Sequence, residues 1–396
     1  MKRKMIQYVT TMIDETGIKV TKENAENGKI WRLITLAILM LLGGLSTGMF
    51  SLVNYDDFYK FVSPVPCTAA IIICCCGTLT IFVHRDKISE MLYALDTNLY
   101  TYPDEHRLNM RYSWYLEEEK VTKIMTAALC FEIFTVIVIF IPIIGELVTY
   151  HRISTFVYPS WQPWIVDDLR SELVVAGMQM IQSFCGLWFY HIVVMATSLA
   201  VFEFLRQYER LTTACLSLKR RTEESSKAGE TKSAKYDTLM RRNIVHCIKH
   251  HQILHKNFQL LRIWFSVFYS CELAVCMVSF AFVLYVLINT TSLPKVLNFM
   301  AVTFIINMNF LTRCFAGEIF ADLNDNLAYT LFSEVDWCEL SKENQRLLVI
   351  FHRMACRPHR LFGLGIFEAT RKTFAQIIRS TYSSFNLLNM MLKKRT

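Results

Sequence analysis

Charge is what this sequence lacks over long stretches. There is no Asp, Glu, Lys or Arg between Leu33 and Tyr55, and none in Phe61 to Val83, Leu173 to Phe202 or Leu273 to Pro294. As helices these runs are long enough to cross a hydrocarbon core of about 30 Å. A helix on a soluble core would show a polar face every few residues. A soluble globular domain is therefore excluded, and the chain reads as an integral membrane protein.

Catalytic signatures are missing too. The sequence has no Gly-x-Ser-x-Gly, no phosphate-cradling glycine loop and no His-Glu-x-x-His. No enzyme activity, cofactor or metal is expected. No cleavable leader is visible, because the first apolar run starts after Trp31 and is too long for a signal h-region. Thirteen cysteines are present, but many lie inside apolar runs, among them Cys74, Cys75, Cys76, Cys271 and Cys276. Buried thiols that pack as small apolar groups are expected, not a disulfide framework. No internal repeat is apparent, which argues against an inverted-repeat transporter.

Beyond the four charge-free runs, a span at about 124–149 is interrupted only by Glu132 and Glu146, and another at about 296–312 follows a turn at Ser292 to Pro294. Glu132, Glu146 and Glu272 are functional candidates by their depth, with helix–helix hydrogen bonding the plainer role. A seventh segment, 363–392, carries Glu368, Arg371, Lys372 and Arg379, has no proline and ends in apolar residues. A polar helix at membrane depth must face protein or water, so this one is expected to line a wet cavity or pore. Lys and Arg number 6, 5, 12 and 5 in residues 1–31, 84–121, 205–261 and 317–361, against 1, 2, 0 and 3 in 54–61, 150–171, 289–294 and 388–396. This bias places the N-terminus inside and the C-terminus outside.

The expected architecture is an all-α membrane protein of seven transmembrane helices whose helices extend into the cytoplasm. Its parts are a cytoplasmic N-terminus, 1–31; helices one to six, 32–316, with a cytoplasmic helical segment, 205–261; cytoplasmic anchor helices, 317–361; and the seventh helix with a short extracellular C-terminus, 362–396. The orientation is the reverse of a G-protein-coupled receptor. Asp-Arg-Tyr after the third span, Asn-Pro-x-x-Tyr in the seventh and a cysteine in 150–171 are all absent.

Outside the membrane, Leu239, Ile244, Ile248, Ile253, Leu254, Phe258 and Leu261 recur near helical spacing, so the fourth and fifth spans are expected to continue as helices. Between them, Arg221 to Ala234 has the composition of a disordered linker. Asp336 to Cys356 reads as one amphipathic helix with a loose cap at Ser341, ended by Arg357-Pro358. His246, His250, His251 and His255 form two i,i+4 pairs of the kind that can bind zinc or copper. No second ligand set accompanies them, and a polar helix surface is the plainer reading. Asn289-Thr290-Thr291 is a glycosylation sequon close to the bilayer.

The outer halves of the second to sixth spans are rich in aromatic, sulfur and branched residues. Ile71, Phe134, Val138, Met178, Ile181, Phe184 and Phe299 are candidate pocket residues, with Phe280 and Tyr285 of the same kind, and Thr68 and Gln182 add polar groups. That is the chemistry of a site for a small apolar ligand, and helix packing or lipid contact is the competing role for each residue. Leu387 and Met391 are four apart and share a face of the seventh helix, where a ring of apolar side chains can stop ions by dewetting.

The C-terminal third resembles the insect odorant receptor family. The stretches that carry the resemblance are Cys314-Phe315-Ala316-Gly317-Glu318, Val335-Asp336-Trp337, Arg346-Leu347-Leu348-Val349-Ile350, and Thr373 through Leu388. The resemblance implies a ligand-gated cation channel in the plasma membrane of a sensory neuron dendrite, built as a heterotetramer with the family's co-receptor. The seventh helix would line the pore, with Leu387 near its narrow point, and a small volatile would bind in the outer part. The chain lacks the long insertion between spans four and five typical of the co-receptor, so it resembles a tuning subunit. Gustatory receptors usually carry Gln-Phe five residues after Thr-Tyr. Thr381-Tyr382 has no such sequel here, which places a gustatory channel second and a G-protein-coupled receptor further off.

Overall fold

Helices form where the charge-free runs predicted them, and those of the fourth and fifth spans run on well past the runs. In this computed structural model the described residues are 11–14, 30–56, 60–61, 64–96, 99–104, 108, 118–153, 158–225, 234–289, 293–357 and 359–393. The helices are α1 (Ile30–Val53), α2 (Val65–Val83), α3 (Arg85–Asp96), α4 (Glu118–Tyr150), α5 (Leu169–Leu216), α6 (Leu218–Ser225), α7 (Ala234–Asn289), α8 (Leu293–Ser333), α9 (Lys342–Ala355) and α10 (Arg371–Lys393). A two-stranded antiparallel hairpin, β1 (Phe362–Gly363) and β2 (Phe367–Glu368), precedes α10.

By length and composition, three of the described helices can cross a membrane: Ile34–Val53, Leu169–Leu216 and Ala234–Ala281. A fourth is gained if α2 and α3, which meet at a 78° bend, count as one span. Helix α10, with Arg371, Lys372 and Arg379, is too polar to count by composition alone. At 1.5 Å per residue the 56 residues of α7 reach about 84 Å, far more than a hydrocarbon core of about 30 Å. The expected extension of the fourth and fifth spans is therefore present as continuous helix. Each starts on a local signal. Asp168 caps α5 by accepting the Ser171 amide while the Ser171 hydroxyl faces back to the Asp168 amide, and Pro64 precedes α2, with Pro66 in its first turn.

Helix α7 is the hub, packing on α2, α3, α5, α6, α8, α9, α10 and β1. The densest packing lies at the end that holds α6 and α9, called the lower end here. Tyr208, Phe258, Trp264, Phe265, Phe268, Tyr269, Phe310, Phe320 and Phe351 are all sealed from solvent. The upper halves of α1, α4 and α5 instead expose Leu41, Leu45, Ile137, Ile141, Met178, Ile181 and Phe184.

Three local expectations change. The segment before the seventh helix is a hairpin, and α10 starts at Arg371, not at 363. Leu364 and Gly365 both take positive φ, 47° and 75°, which a continuing helix does not allow. Residues 336–356 are not one helix: Trp337–Glu339 is a 3-10 turn, and α9 follows at Lys342. Ser341 takes the N-cap position there, without a side-chain bond. Arg221 to Ser225 belong to α6, with Arg221 fully buried. Residues 226–233 of the expected linker, and Thr290 and Thr291 of the sequon, lie outside the described residues.

Candidate functional site: an upper cleft and the start of the polar helix

The segment after α4 folds back over the upper ends of α1 and α5. Arg152 Nε donates to Glu172 at 2.7 Å, and the Ile153 amide donates to the other Glu172 oxygen at 2.8 Å. The buried Gln179 amide donates to Tyr158 O at 2.9 Å and to Ser160 Oγ at 2.8 Å. The Tyr158 hydroxyl donates to Gln182 Oε1, and Gln182 Nε2 donates to Leu39 O at 3.4 Å, over Gly43. Trp161 closes the rim: its amide donates to Ser46 O at 3.0 Å and its carbonyl accepts from Ser46 Oγ. Burial holds the Tyr158 phenol well above its ordinary range, so it stays a neutral donor.

The predicted pocket residues divide around this rim. Thr68 Oγ1 donates to Thr47 Oγ1 at 2.8 Å between α2 and α1, and Ile71 is half-buried beside Gly44. Phe134, Met178, Ile181 and Phe184 are exposed on the isolated chain, and the last three form one stripe along α5. The side chains of Val138, Phe299 and Met391 lie outside the described ones. Sequence reasoning passed over Tyr158, Ser160, Trp161 and Gln179. For the first three a signal was present in 156–164, where Phe156, Tyr158, Trp161 and Trp164 make the segment too rich in large side chains for a plain solvent loop.

Deeper in the bundle, Glu272 of α7 forms a buried ion pair with Arg313 of α8. The Tyr190 hydroxyl of α5 donates to Glu272 at 3.1 Å, and Arg313 lies 4.3 Å from the centre of the Phe268 ring. A charge at this depth is tolerable only when paired and bonded in this way. Glu272 thus makes interhelical polar contacts. The Glu132 side chain lies outside the described ones. Cys74 is buried, and its thiol donates to Gly186 O at 3.4 Å, as a packing thiol does.

The Cys314–Glu318 stretch positions the polar helix. Cys314 Sγ meets the Tyr269 hydroxyl at 3.4 Å. A Cβ on Gly317 would stand 2.4 Å from Ala369 O, so only glycine lets the chain pass there. Glu318 accepts both Arg371 Nε and Nη2 at 2.6 Å, and Arg371 lies over the Phe315 ring. These bonds hold the Glu318 carboxyl below its usual range. Trp337 Nε1 donates to Leu331 O at 2.9 Å, and Gln345 Nε2 donates to Trp337 O at 2.9 Å. Those bonds tie the Val335–Trp337 stretch to α8 and α9.

Helix α10 packs on α7 and α8. Thr373, Ile377, Thr381 and Phe385 are buried, while Arg379, Ser383, Leu387 and Met390 share an exposed stripe. The two i,i+4 histidine pairs part company. His246 meets Tyr100 at 2.5 Å, and His250 lies between Tyr102 at 2.8 Å and Gln207 at 3.1 Å. His251 and His255 turn the other way, towards His359.

Comparison with known proteins follows from this geometry. The structure is similar to that of the insect olfactory receptor OR5 from Machilis hrabei, with TM-score 0.81, 11% identity, and 98% of this chain and 97% of that one covered. It is also similar to the same receptor solved in complex with eugenol, with TM-score 0.82, 11% identity, and 98% of each chain covered. No curated protein matches the sequence. At such low identity these likenesses establish a shared seven-transmembrane helical fold. The family model described as 7tm Odorant receptor matches residues 57–382, and the chain therefore belongs to the seven-transmembrane odorant receptor family.

Proposed function

We propose that the chain is the odorant-selective subunit of a ligand-gated, non-selective cation channel in the plasma membrane, assembled with the family's co-receptor. The observation that carries this reading is the two-sided α10, with one face packed on the bundle and the other exposed and carrying both Arg379 and Leu387. A helix with such a face needs water or a neighbouring subunit beside it at membrane depth. In this reading the N-terminus is cytosolic, and α10 lines a shared pore with Leu387 and Met391 at its constriction. Arg379, about 12 Å below Leu387 along the helix, stands in the inner vestibule.

In this reading the ligand binds below the Tyr158–Trp161 rim, with Thr68, Ile71, Phe134, Val138, Met178, Ile181, Phe184 and Phe299 as its candidate contacts. Apolar walls with a few fixed polar groups suit a small volatile carrying at most one or two oxygens. The OR5 structure with eugenol supports a ligand of that class. Co-expression with the co-receptor, with currents recorded across a panel of volatiles, tests the reading. Odorant-evoked current only when both chains are present is the expected result, and silence to every volatile with both at the surface defeats it.

A further inference from the structure

Two imidazoles on α7 and one from the strap that leads to α10 meet at the lower end of the molecule. His255 Nδ1 is in hydrogen-bond contact with His359 Nε2, 104 residues on, and the Tyr208 hydroxyl of α5 is bonded to His359 Nδ1. The His255 and His359 ring centres are 4.7 Å apart, and those of His251 and His359 are 5.7 Å apart. His251 and His359 are each 2% exposed. Neither nitrogen of His251 has a hydrogen-bond partner. His255 is only half-buried, so a proton can reach the group from solution.

With neutral rings the bonds are all made: Tyr208 donates to His359 Nδ1, and His359 gives its Nε2–H to His255 Nδ1. A further proton on His251 creates a buried cation with nothing to receive its bonds, and one on His359 puts a second cation in the same sealed surroundings. The surroundings offer no relief. Around the group α5 contributes Tyr208, α7 contributes Phe258, α8 contributes Phe320 and α9 contributes Phe351. The neighbouring charges are engaged elsewhere, Arg360 with Asp325 and Glu368, and Lys256 with Glu90. His250, on the opposite side of α7, is held by Tyr102 and Gln207. Among the described residues no carboxylate forms an ion pair with any of the three imidazoles.

We infer that His251 and His359, with His255 as the contact between α7 and the strap, form a proton-sensitive latch that holds the strap before α10 onto α7 while the two buried rings are neutral and releases it on cytosolic acidification. The strap is short. Leu361 O accepts the Ala369 amide at 2.9 Å, Ala369 lies against Gly317, and Arg371 opens α10. Releasing His359 therefore removes one of the fastenings of the lower end of α10, beside the Glu318–Arg371 pair and the Ala369–Gly317 contact. Burial, then the neighbouring imidazoles, push His359 down to about 3, and burial, then His255, push His251 down to about 4. Released to water, each returns to about 6.5. A group depressed in the closed state contributes stability above its released value and loses it as pH falls through that value. The latch is therefore closed at neutral pH and weakens below about pH 6.5. Its effect on current rests on the channel reading; its effect on the strap does not.

Amide hydrogen exchange of the purified full-length protein in nanodiscs tests the strap directly. From pH 7.4 to 5.9 the open fraction of residues 359–369, corrected for the intrinsic exchange rate, should rise about fourfold if one imidazole takes up a proton and about twentyfold if two do. His251→Phe/His255→Asn, which keeps the packing and an acceptor and leaves the strap residue intact, should cut the rise to no more than the fourfold share of His359 alone. A wild-type strap indifferent to pH, or a variant that keeps the full rise, overturns the latch. In inside-out patches of the channel formed with the co-receptor, acid on the cytosolic face should reversibly lower odorant-evoked current in wild type, and lower it less in the variant. An acid-responsive strap beside an unchanged current also overturns the proposal. An acid-responsive strap with no odorant current at any pH leaves the latch standing and defeats the channel reading.

Discussion

Glu318 and Arg371 form a two-pronged ion pair, with both bonds at 2.6 Å, that joins the middle of α8 to the first residue of α10. Arg371 is the more exposed partner and Glu318 the more sheltered one. An exposed pair of this kind adds little to stability, so its main effect is on geometry. Glu318→Gln should reach the surface normally and reduce maximal odorant-evoked current severalfold. The swap Glu318→Arg/Arg371→Glu should recover part of it. Equal currents in wild type and Glu318→Gln would show that the pair does not place the helix.

Gly317 is a steric prediction. A methyl group there meets the Ala369 carbonyl and Cβ at 2.4 and 2.6 Å, contacts that cannot be made without moving the strap. Gly317→Ala should cost about 1–3 kcal/mol, as overpacking does, and cut surface expression. Gly365→Ala, strained only by its positive φ, should cost about 1 kcal/mol. Surface biotinylation of both variants, with thermal unfolding in detergent, checks the order.

The ligand site predicts changes in selectivity without loss of protein. Trimming Ile181 or Met178 to Ala, or enlarging Val138 to Phe, should reorder responses across a homologous series of volatiles. One methylene of misfit is about 1–3 kcal/mol. Tyr158→Phe should lower sensitivity to oxygen-bearing ligands in particular, because it removes the hydroxyl bonded to Gln182. Unaltered dose–response curves at all four positions would move the site elsewhere.

The exposed stripe of α10 predicts a gate. Leu387→Gln and Met391→Gln should raise ligand-free current or alter ion selectivity by wetting the constriction, with dilution by co-receptor subunits in a mixed tetramer. Arg379→Glu on the same stripe should shift the reversal potential towards higher cation preference. Leak, selectivity and block identical to wild type in all three would put the pore on another face.

Orientation is tested by tags. An N-terminal epitope should be silent to antibody on intact cells, and one after Thr396 should be stained, as the basic-residue imbalance requires. Staining of the N-terminal tag on unpermeabilised cells would invert the arrangement.

Much of the fold was legible because bilayer crossing imposes a simple pattern. The runs free of charge became α1, α2, α5 and α7, and the helical spacing of Ile244, Leu254, Phe258 and Leu261 foretold a continuous extension of α7. The hairpin at 362–368 was not legible, because a seven-residue stretch with two glycines gives little period to read. The meeting of His255 with His359 was invisible for a different reason. The i,i+4 spacing shows which histidines share a helix face but not which residue, 104 positions away, lies against it. Likewise Gly317 was quoted as part of a resemblance, and only the approach of Ala369 supplies its physical reason. In the upper cleft the apolar side chains were visible as composition. The rim at Tyr158 to Trp161 was not, since its bonds run from a loop to two helices, α1 and α5, far apart in sequence.

The length of α7 has a mechanical consequence. One unbroken helix carries Ser279 and its neighbours near the upper end, Glu272 midway, and His251 and His255 at depth, so it acts as a lever arm. With its fulcrum near the middle, a tilt of about 3° displaces each tip by about 2 Å in opposite directions. A volatile that wedges the upper helices apart by the width of a methyl group would therefore move His251 and His255, about 10–16 Å below that middle, by somewhat less than about 1 Å the opposite way, at the point where the strap to α10 is fastened.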